Sequence, residues 1–320
     1  MLLAAYACAL SCAFVVTLYE TSVKEPAPGT CANNRTIHLI RHAQGWHNID
    51  ELEAEAAFKA GAASWHGLDL RDQKHIALRE EFGIAWTLLE QVSGRKYHDP
   101  HLTPAGREQA YALRSQLRGD PTFALDAVAL SPMRRTIETA LLGLPQLEGA
   151  STAFAWAHDH DPPRPPPMVA NDLLRERCAH FMPDSRLSRT ELARQYGGLG
   201  ANATIDFSQV EEDDTPFLEG KERHEPEIGS PMLASRALLA LRWLASLPRG
   251  YERIAVVSHC HFLGAITGLY PESVRQAKFS NAERRTAIMC VGDDDDDGTV
   301  KPMAARVAPM GGVAQRGAES

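Results

Sequence analysis

Three short stretches of the sequence combine a reactive side chain with strong hydrogen-bond donors. In the first, Arg41 and His42 directly follow the apolar run 37–40, and Asn48 comes six residues after the histidine. Histidine is nucleophilic and close to neutral at physiological pH, whereas arginine presents a planar fork of donors that suits a phosphate or a carboxylate. An isolated Arg-His pair is more often an ordinary surface feature. A prediction of chemistry on a small anion therefore needs support from the rest of the chain.

The other two stretches supply that support because they repeat the arrangement. Ser131 and Arg135 follow the apolar run 127–130, and His259 follows the apolar run 254–258. Short apolar runs of this kind predict buried strands. In an open α/β sheet, ligands bind just beyond the carboxyl ends of the strands. We therefore predict that the three reactive stretches meet at one rim of a sheet.

Helices must connect these strands, and two proline signals predict where they begin. Thr-Pro at 103–104 combines a capping hydroxyl with proline at the first helical position, and predicts a helix to about Arg118. Ser-Pro at 131–132 repeats the signal and predicts a helix with Arg134 and Arg135 in its first turns. Because the helix dipole disfavours cations at that end, the arrangement favours an anionic ligand.

The order of these elements predicts an α/β fold with a doubly wound, mostly parallel central sheet and helices on both faces. The long polar stretch 178–229 predicts a helical/loop insertion over the active site. We divide the chain into an apolar segment at 1–24, a linker at 25–34, one large domain at 35–305 and a disordered tail at 306–320.

The N-terminal segment carries no charge from Met1 to Leu18. Its length suits the apolar part of a signal peptide or a marginal membrane span, although the usual positively charged start is missing. An apolar helix packed on the domain is a third interpretation. We expect the secretory pathway or a membrane anchor, with this segment as the means of membrane attachment, and cytoplasmic localisation as the alternative.

The charge balance argues against a nucleic-acid partner. The chain has 41 acidic and 33 basic residues and a formal net charge of −8, whereas binding to nucleic acid calls for a basic face. The acidic run Asp293–Asp297 is interpreted as a solvated turn because it lacks the spacing of a calcium loop. A small anion must therefore be bound by arginines concentrated at one place.

Four motifs, in this order along the chain, resemble the histidine phosphatase (phosphoglycerate mutase-like) superfamily. The closer likeness is to its eukaryotic phosphoglycerate mutase-like proteins of fungi, plants and algae, and it extends over about Arg35 to Gly268. The motifs that carry the resemblance are Arg41-His42-Ala43 with Asn48, Leu130-Ser131-Pro132-Met133-Arg134-Arg135-Thr136, Leu174-Arg175-Glu176, and Val257-Ser258-His259.

The resemblance implies a role for each matching residue. It implies that His42 becomes phosphorylated and that Arg41, Arg135 and His259 bind the phosphoryl oxygens. It further implies that Glu176 protonates the leaving oxygen. The predicted catalytic residues are therefore His42, Glu176 and His259.

Two more residues are predicted to bind substrate. Asn48 is a further donor beside the phosphoryl group, and Arg186 is a cation in the stretch that follows the acidic residue. The sequence also departs from the family pattern at two positions. Ala43 stands where the family usually has glycine, and Cys260 follows the second histidine. Neither change removes a reacting group.

These observations favour a phosphatase that hydrolyses small phosphate monoesters through a phosphohistidine. A phosphoglycerate mutase-type transfer and a catalytically silent phosphate-binding module are the alternatives. Hydrolysis is preferred because the stretch 178–186 lacks the Tyr- and Arg-rich lid of the mutases proper. In addition, the acidic run 211–214 would not attract a doubly phosphorylated metabolite.

We expect a small phosphorylated substrate as the partner, with no cofactor and no metal. The six cysteines contain no Cys-x-x-Cys pair and no metal-type spacing. A metal hydrolase built on His42, His259 and His261 is less favoured because no clustered carboxylates accompany them. The other histidines, including His47, are interpreted as solvated or locally hydrogen-bonded residues.

Overall fold

The computed structural model describes most of the predicted domain. The residues it describes are 15–20, 33–69, 84–147, 165–176, 182–198, 204–214, 231–268 and 278–292. Several predictions lie outside these residues: most of the N-terminal segment and linker, much of the insertion, the run Asp293–Asp297, and the tail at 306–320.

A seven-stranded sheet lies at the centre of the molecule, with the strand order β1-β9-β2-β8-β5-β6-β7. A separate antiparallel pair is formed by β3 and β4. The strands are β1 Val15–Glu20, β2 Asn33–Arg41, β3 Ser64–Trp65, β4 Leu68–Asp69, β5 Ala127–Leu130, β6 Met168–Asn171, β7 Ile205–Gln209, β8 Arg253–Ser258 and β9 Arg284–Gly292.

Five neighbouring strands of this sheet, β2, β8, β5, β6 and β7, run parallel, whereas β9 is antiparallel to both of its neighbours. The predicted α/β class with a mostly parallel sheet is confirmed. The prediction for the insertion was incomplete, because β7 lies within it and joins the sheet. Ile205 and Phe207 are buried and alternate with exposed Asp206 and Ser208, as expected for a half-buried strand.

Seven helices are present in the described part of the chain. They are α1 Trp46–Lys59, α2 Ile84–Ser93, α3 Pro104–Arg118, α4 Arg134–Gly143, α5 Arg189–Tyr196, α6 Pro231–Ser246 and α7 Cys260–Gly268.

Successive residues of the central strands enter two different hydrophobic cores. On β8, Val256 belongs to the core that contains residues of α6 and α7, whereas its neighbour Val257 belongs to the core that contains residues of α3 and α4. Side chains of a strand alternate between its two faces. The two cores therefore lie on opposite faces of the sheet, and helices cover both faces as predicted.

The two predicted helix starts had different outcomes. Thr103 caps α3 as expected, because its hydroxyl accepts a hydrogen bond from the Gly106 amide over 2.9 Å. The start predicted at Ser131 was wrong, since α4 begins at Arg134 without a cap from its own side chains. Its Arg134 amide donates instead to the Asp99 carboxylate over 2.8 Å, and no local sequence pattern reveals so distant a cap.

Part of the predicted apolar segment belongs to the sheet. Strand β1 pairs along its whole length with β9, with Val15 opposite Gly292 and Glu20 opposite Ala287. Among the described residues, none of the helices is both long enough and apolar enough to cross a bilayer. The proposed signal or anchor role of the segment stays a prediction.

Candidate active site

The three predicted reactive stretches meet at the carboxyl ends of neighbouring strands. His42, Ser131 and His259 come directly after β2, β5 and β8, which lie side by side in the order β2-β8-β5. The rings of His42 and His259 are 5.1 Å apart between centroids. The Nε2 atom of His259 lies 2.8 Å from the hydroxyl oxygen of Ser131. The predicted convergence at one rim is confirmed.

The tautomer of His42 is fixed by the backbone. Its Nδ1 atom lies 2.7 Å from the carbonyl oxygen of Ala43, which can only accept, so Nδ1 carries the proton and Nε2 keeps a lone pair. Burial holds the pKa of His42 well below its usual value, and the charges of Arg135 and Arg41 lower it further. The side chain is therefore a neutral imidazole with a nucleophilic Nε2.

The turn that carries His42 is held by two side chains from elsewhere in the chain. The Ala43 amide donates to the hydroxyl of Thr139 over 2.9 Å. The Asn281 amide donates to the His42 carbonyl over 3.1 Å. The alanine that replaces the usual glycine is fully buried, and its carbonyl still orients the histidine ring.

Two arginines beside this imidazole each keep a buried nitrogen without an acceptor. Arg135, only 1% exposed, donates from Nη1 to the Pro183 carbonyl over 2.5 Å and lies 3.3 Å from the Asp184 carboxylate. Arg41 donates from Nη1 to the Phe279 carbonyl over 2.6 Å. Within the described residues, the Nε atoms of both arginines have no partner. Buried donors of this kind are costly unless an acceptor reaches them.

His259 contributes a further buried ring nitrogen. Its ring is fully buried, and its Nδ1 atom has no partner in the part of the chain that the structure describes. Burial lowers the pKa of His259 well below its usual value, and the charges of Arg135 and His42 contribute to the decrease. The charges of two buried arginines thus act on a pair of neighbouring neutral imidazoles, an arrangement suited to binding an oxyanion.

Glu176 occupies the N-terminus of α7. Its carboxylate accepts hydrogen bonds from the backbone amides of His261 and Phe262, at 3.3 and 3.2 Å, and lies 3.2 Å from the His261 ring. The charge of Glu176 acts on Arg135 and His47, which places it within electrostatic range of the buried arginine and histidine side chains. Its backbone carbonyl accepts from Arg236 of α6 over 2.9 Å.

The structure does not bring Arg186 to this group. Arg186 is 2% exposed, and it binds the Asp172 carboxylate at 2.9 and 3.1 Å. Its remaining donors contact the carbonyls of Leu187, Glu211 and Asp213. Arg186 therefore links parts of the insertion to each other and to Asp172. Its predicted contact with substrate gains no support from the geometry.

Asn48 makes hydrogen bonds within the first turn of α1. Its side-chain oxygen accepts from the Gly45 amide over 3.1 Å, and its side-chain nitrogen lies 3.1 Å from the His47 ring. His47, which the sequence indicated to be an ordinary histidine, is 7% exposed, and its ring centroid lies 5.7 Å from that of His42. The one available signal was its position next to Asn48 in the first turn of a helix that follows the reactive pair.

Within the described residues, the histidines of the site do not form a metal-binding group with carboxylates. Among the described residues, the group with suitable spacing is Asp50, Glu53 and His66. The guanidinium of Arg95 already binds Asp50 at 2.6 Å, so a cation fills that position. Neither observation supports the alternative of a metal hydrolase at His42 and His259.

Comparisons with known proteins agree with the motifs. A profile of the histidine phosphatase superfamily (branch 1) matches residues 85–181. The phosphoglycerate mutase-like protein of Arabidopsis thaliana is 29% identical over 241 residues, which covers 72% of each chain. Phosphoglycerate mutase-like protein 2 of the same plant is 25% identical over 314 residues, covering 84% of this chain and 78% of the relative.

The solved structures that the chain matches include a phosphatase and a mutase. A mycobacterial glucosyl-3-phosphoglycerate phosphatase in complex with VO3 has 14% identity and a TM-score of 0.37, and covers 79% of this chain and 92% of its own. Phosphoglycerate mutase from Bacillus anthracis has 15% identity and a TM-score of 0.41, with coverage of 82% and 93%. The motifs around His42, the profile match and the plant relatives together show that the chain is similar to members of the histidine phosphatase superfamily.

Proposed function

We propose that the protein hydrolyses small phosphate monoesters through a phosphohistidine at His42. One observation carries the proposal: His42 keeps a lone pair on Nε2, and its ring feels the charges of Arg41 and Arg135, whose buried Nε donors have no acceptor in the described residues. A phosphoryl group supplies oxygens for those donors and phosphorus for the lone pair. Phosphoryl transfer depends chiefly on positioning and on stabilising charge at three equatorial oxygens.

In the first step, His42 Nε2 attacks phosphorus in line with the ester oxygen. The phosphorus–nitrogen bond forms as the ester bond breaks, and protonated Glu176 gives its proton to the departing alkoxide. Nδ1 keeps its own proton throughout. The phosphorylated ring is therefore cationic, and the Ala43 carbonyl at 2.7 Å stabilises that charge.

In the second step, water attacks the phosphohistidine. The Glu176 carboxylate takes a proton from the water, the phosphorus–nitrogen bond breaks, and the electron pair returns to His42 Nε2. Inorganic phosphate leaves, and both side chains are restored to their starting protonation states. Glu176 thus acts as the acid in the first step and as the base in the second, whereas His42 is first the nucleophile and then the leaving group.

Hydrolysis is favoured over mutase chemistry by the partners of the remaining cations. A mutase must hold a substrate with a second anionic group while the phosphate is re-donated. In the described residues, Arg186 is committed to Asp172. Arg134 donates to the carbonyls of His98 and Asp99 at 2.8 and 2.6 Å. Neither side chain is left to bind a second phosphate or a carboxylate.

The decisive experiment uses a ³²P-labelled alkyl phosphate with the wild-type protein and the His42→Ala variant. Rapid quenching in alkali should recover an acid-labile label on the wild-type protein and none on the variant. A phosphate-release assay over a panel of esters, with and without chelator, tests hydrolysis. Label that persists in the variant overturns the assignment of His42. Mutase turnover above phosphate release, with bisphosphoglycerate present, overturns hydrolysis, and ligand binding without label identifies a silent receptor.

A further inference from the structure

A short chain of hydrogen bonds fixes the tautomer of His47. The Gly45 amide donates to the Oδ1 atom of Asn48 over 3.1 Å, which identifies the oxygen of that side chain. The Nδ2 atom of Asn48 is therefore the one that lies 3.1 Å from His47 Nε2. Because Nδ2 can only donate, Nε2 must accept, and a neutral His47 carries its proton on Nδ1.

The resulting N–H group is buried and has no acceptor. His47 is 7% exposed, and its Nδ1 atom makes no hydrogen bond with any residue that the structure describes. The ring is neutral, since burial and the charges of Arg135 and Arg41 hold the pKa of His47 well below its usual value. Native structures rarely leave a buried donor unpaired, so this group requires an explanation.

Glycine at position 45 makes room for the ring that carries this donor. A Cβ atom at Gly45 would lie 2.9 Å from His47 Nδ1 and 3.0 Å from its Cε1, closer than such contacts permit. The ring of His47 also lies 5.7 Å from that of His42 between centroids. A phosphoryl group on His42 would therefore lie near the His47 ring, and a Cβ atom at position 45 would crowd that ring.

We propose that His47 is a substrate-binding residue whose Nδ1–H donates to an oxygen of the phosphoryl group at His42. The ligand class is a tetrahedral oxyanion, either the phosphate monoester or its inorganic product. Gly45 and Asn48 are positioning residues in this scheme, since they set the tautomer and make room for the ring. The inference rests on the proposed function for the identity of the natural ligand, but the binding contact itself can be measured without turnover.

The amide side chains provide a matched pair of substitutions. Asn at position 47 places an N–H group near the position that Nδ1 of His47 occupies. Gln places its N–H group near the position of Nε2 instead. We therefore expect His47→Gln and His47→Phe to weaken binding of orthovanadate by about 10- to 100-fold, the range for a hydrogen bond to a charged group. His47→Asn should recover most of that loss. His38→Gln is the control, because His38 is buried on β2 and bonds Thr286 at 3.0 Å, away from the rim.

Calorimetric titration with orthovanadate measures this binding, with thermal melting to establish that each variant is folded. Long-range ¹H–¹⁵N spectra of the wild-type protein give the second measurement. They should show a proton on His47 Nδ1 whose resonance shifts on adding vanadate. Wild-type affinity in both His47→Gln and His47→Phe overturns the inference. If neither variant folds, the spectra decide, and an Nδ1 resonance that vanadate leaves unchanged overturns it.

The two proposals fail in different ways. A wild-type protein that binds vanadate through His47 but never forms phosphohistidine refutes the hydrolysis and leaves this contact standing. Ester hydrolysis by the wild-type protein, together with normal vanadate binding by His47→Phe, refutes this contact and leaves the hydrolysis standing. If the wild-type protein binds neither vanadate nor inorganic phosphate, both proposals are wrong.

Discussion

The Nδ1–H of His42 donates to the carbonyl oxygen of the next residue, Ala43, over 2.7 Å. This contact is made within one dipeptide, so it does not depend on a bound substrate. It directs the lone pair of the ring to Nε2 and provides an acceptor for the proton that remains when the ring is phosphorylated. The nucleophile is thus oriented before any ligand arrives.

The first prediction concerns the charge of His42. Its pKa is lowered, chiefly by burial and then by Arg135 and Arg41, so the ring should stay neutral when the pH falls through the ordinary histidine range near 6.5. Its imidazole resonances should not titrate between pH 7.5 and 5.5 in the wild-type protein. In Arg135→Met the pKa should rise, although burial will still hold it below the usual value. A wild-type midpoint near 6.5 would contradict this.

A second prediction links His38 to acid stability. Burial, as the main cause, lowers the pKa of His38 to about 4, and the unfolded chain titrates near 6.5. The unfolded state therefore binds more protons below pH 6.5, and stability is lost as the pH falls toward 4. Between pH 7.5 and 5, the wild-type protein should lose about 2 kcal/mol more than His38→Gln. Urea unfolding at the two pH values measures the difference, and equal losses would refute it.

The third prediction tests Glu176 as the proton donor. Alkyl phosphates have leaving groups that need a proton, whereas nitrophenolate does not. Glu176→Gln should therefore reduce kcat/KM for an alkyl phosphate by about 10² to 10⁴ and that for nitrophenyl phosphate far less. Glu212→Gln is the control, since Glu212 is 41% exposed and pairs with Arg189. Equal losses on both substrates would mean that Glu176 serves mainly to cap α7.

A fourth prediction concerns the carboxylate of Asp184. It lies 3.3 Å from Arg135 Nη2 and compensates part of the positive charge of Arg135, which is proposed to bind phosphate. Asp184→Asn should tighten inhibition by inorganic phosphate, by about tenfold for the loss of one nearby negative charge. Exposed Asp206→Asn should leave the inhibition constant unchanged. Weaker inhibition in Asp184→Asn would show that the carboxylate holds Arg135 in place and does not oppose the anion.

The fifth prediction separates the N-terminal strand from the active site. A chain that begins at Val15 keeps β1, whereas a chain that begins at Thr30 loses its pairing with β9. We expect the shorter chain to melt at a lower temperature but to retain phosphatase activity, because the reactive rim is built by β2, β8 and β5. Thermal melting and an ester-hydrolysis assay measure the two properties. Loss of activity in the shorter chain would contradict the prediction.

The sequence predicts those parts of the site that depend on neighbouring residues. Each reactive stretch directly follows an apolar strand, so the positions of His42, Ser131 and His259 follow from short-range patterns and the known rim of α/β sheets. The capped start of α3 at Thr103 is local in the same way.

The features that sequence reasoning missed depend on distant contacts. Asn281 supports the His42 carbonyl from 239 residues away, and Asp99 caps α4 from 35 residues away. His47 reads as an ordinary helical histidine until its ring is placed beside His42. Arg186 has the right charge for substrate, but its carboxylate partner Asp172 lies 14 residues earlier and cannot be inferred from spacing.

His42, the proposed nucleophile, lies near the start of the chain, and residues near the end of the chain support it. Arg41 and His42 are held by the carbonyl of Phe279 and the side chain of Asn281, from the loop that leads into β9. During synthesis, the chain must therefore emerge almost in full before these supports exist. Contacts of such long sequence separation also form slowly in folding. An unfinished or C-terminally shortened chain would carry His42 without these supports, so the site around His42 is complete only after residues 279–281 have been synthesised.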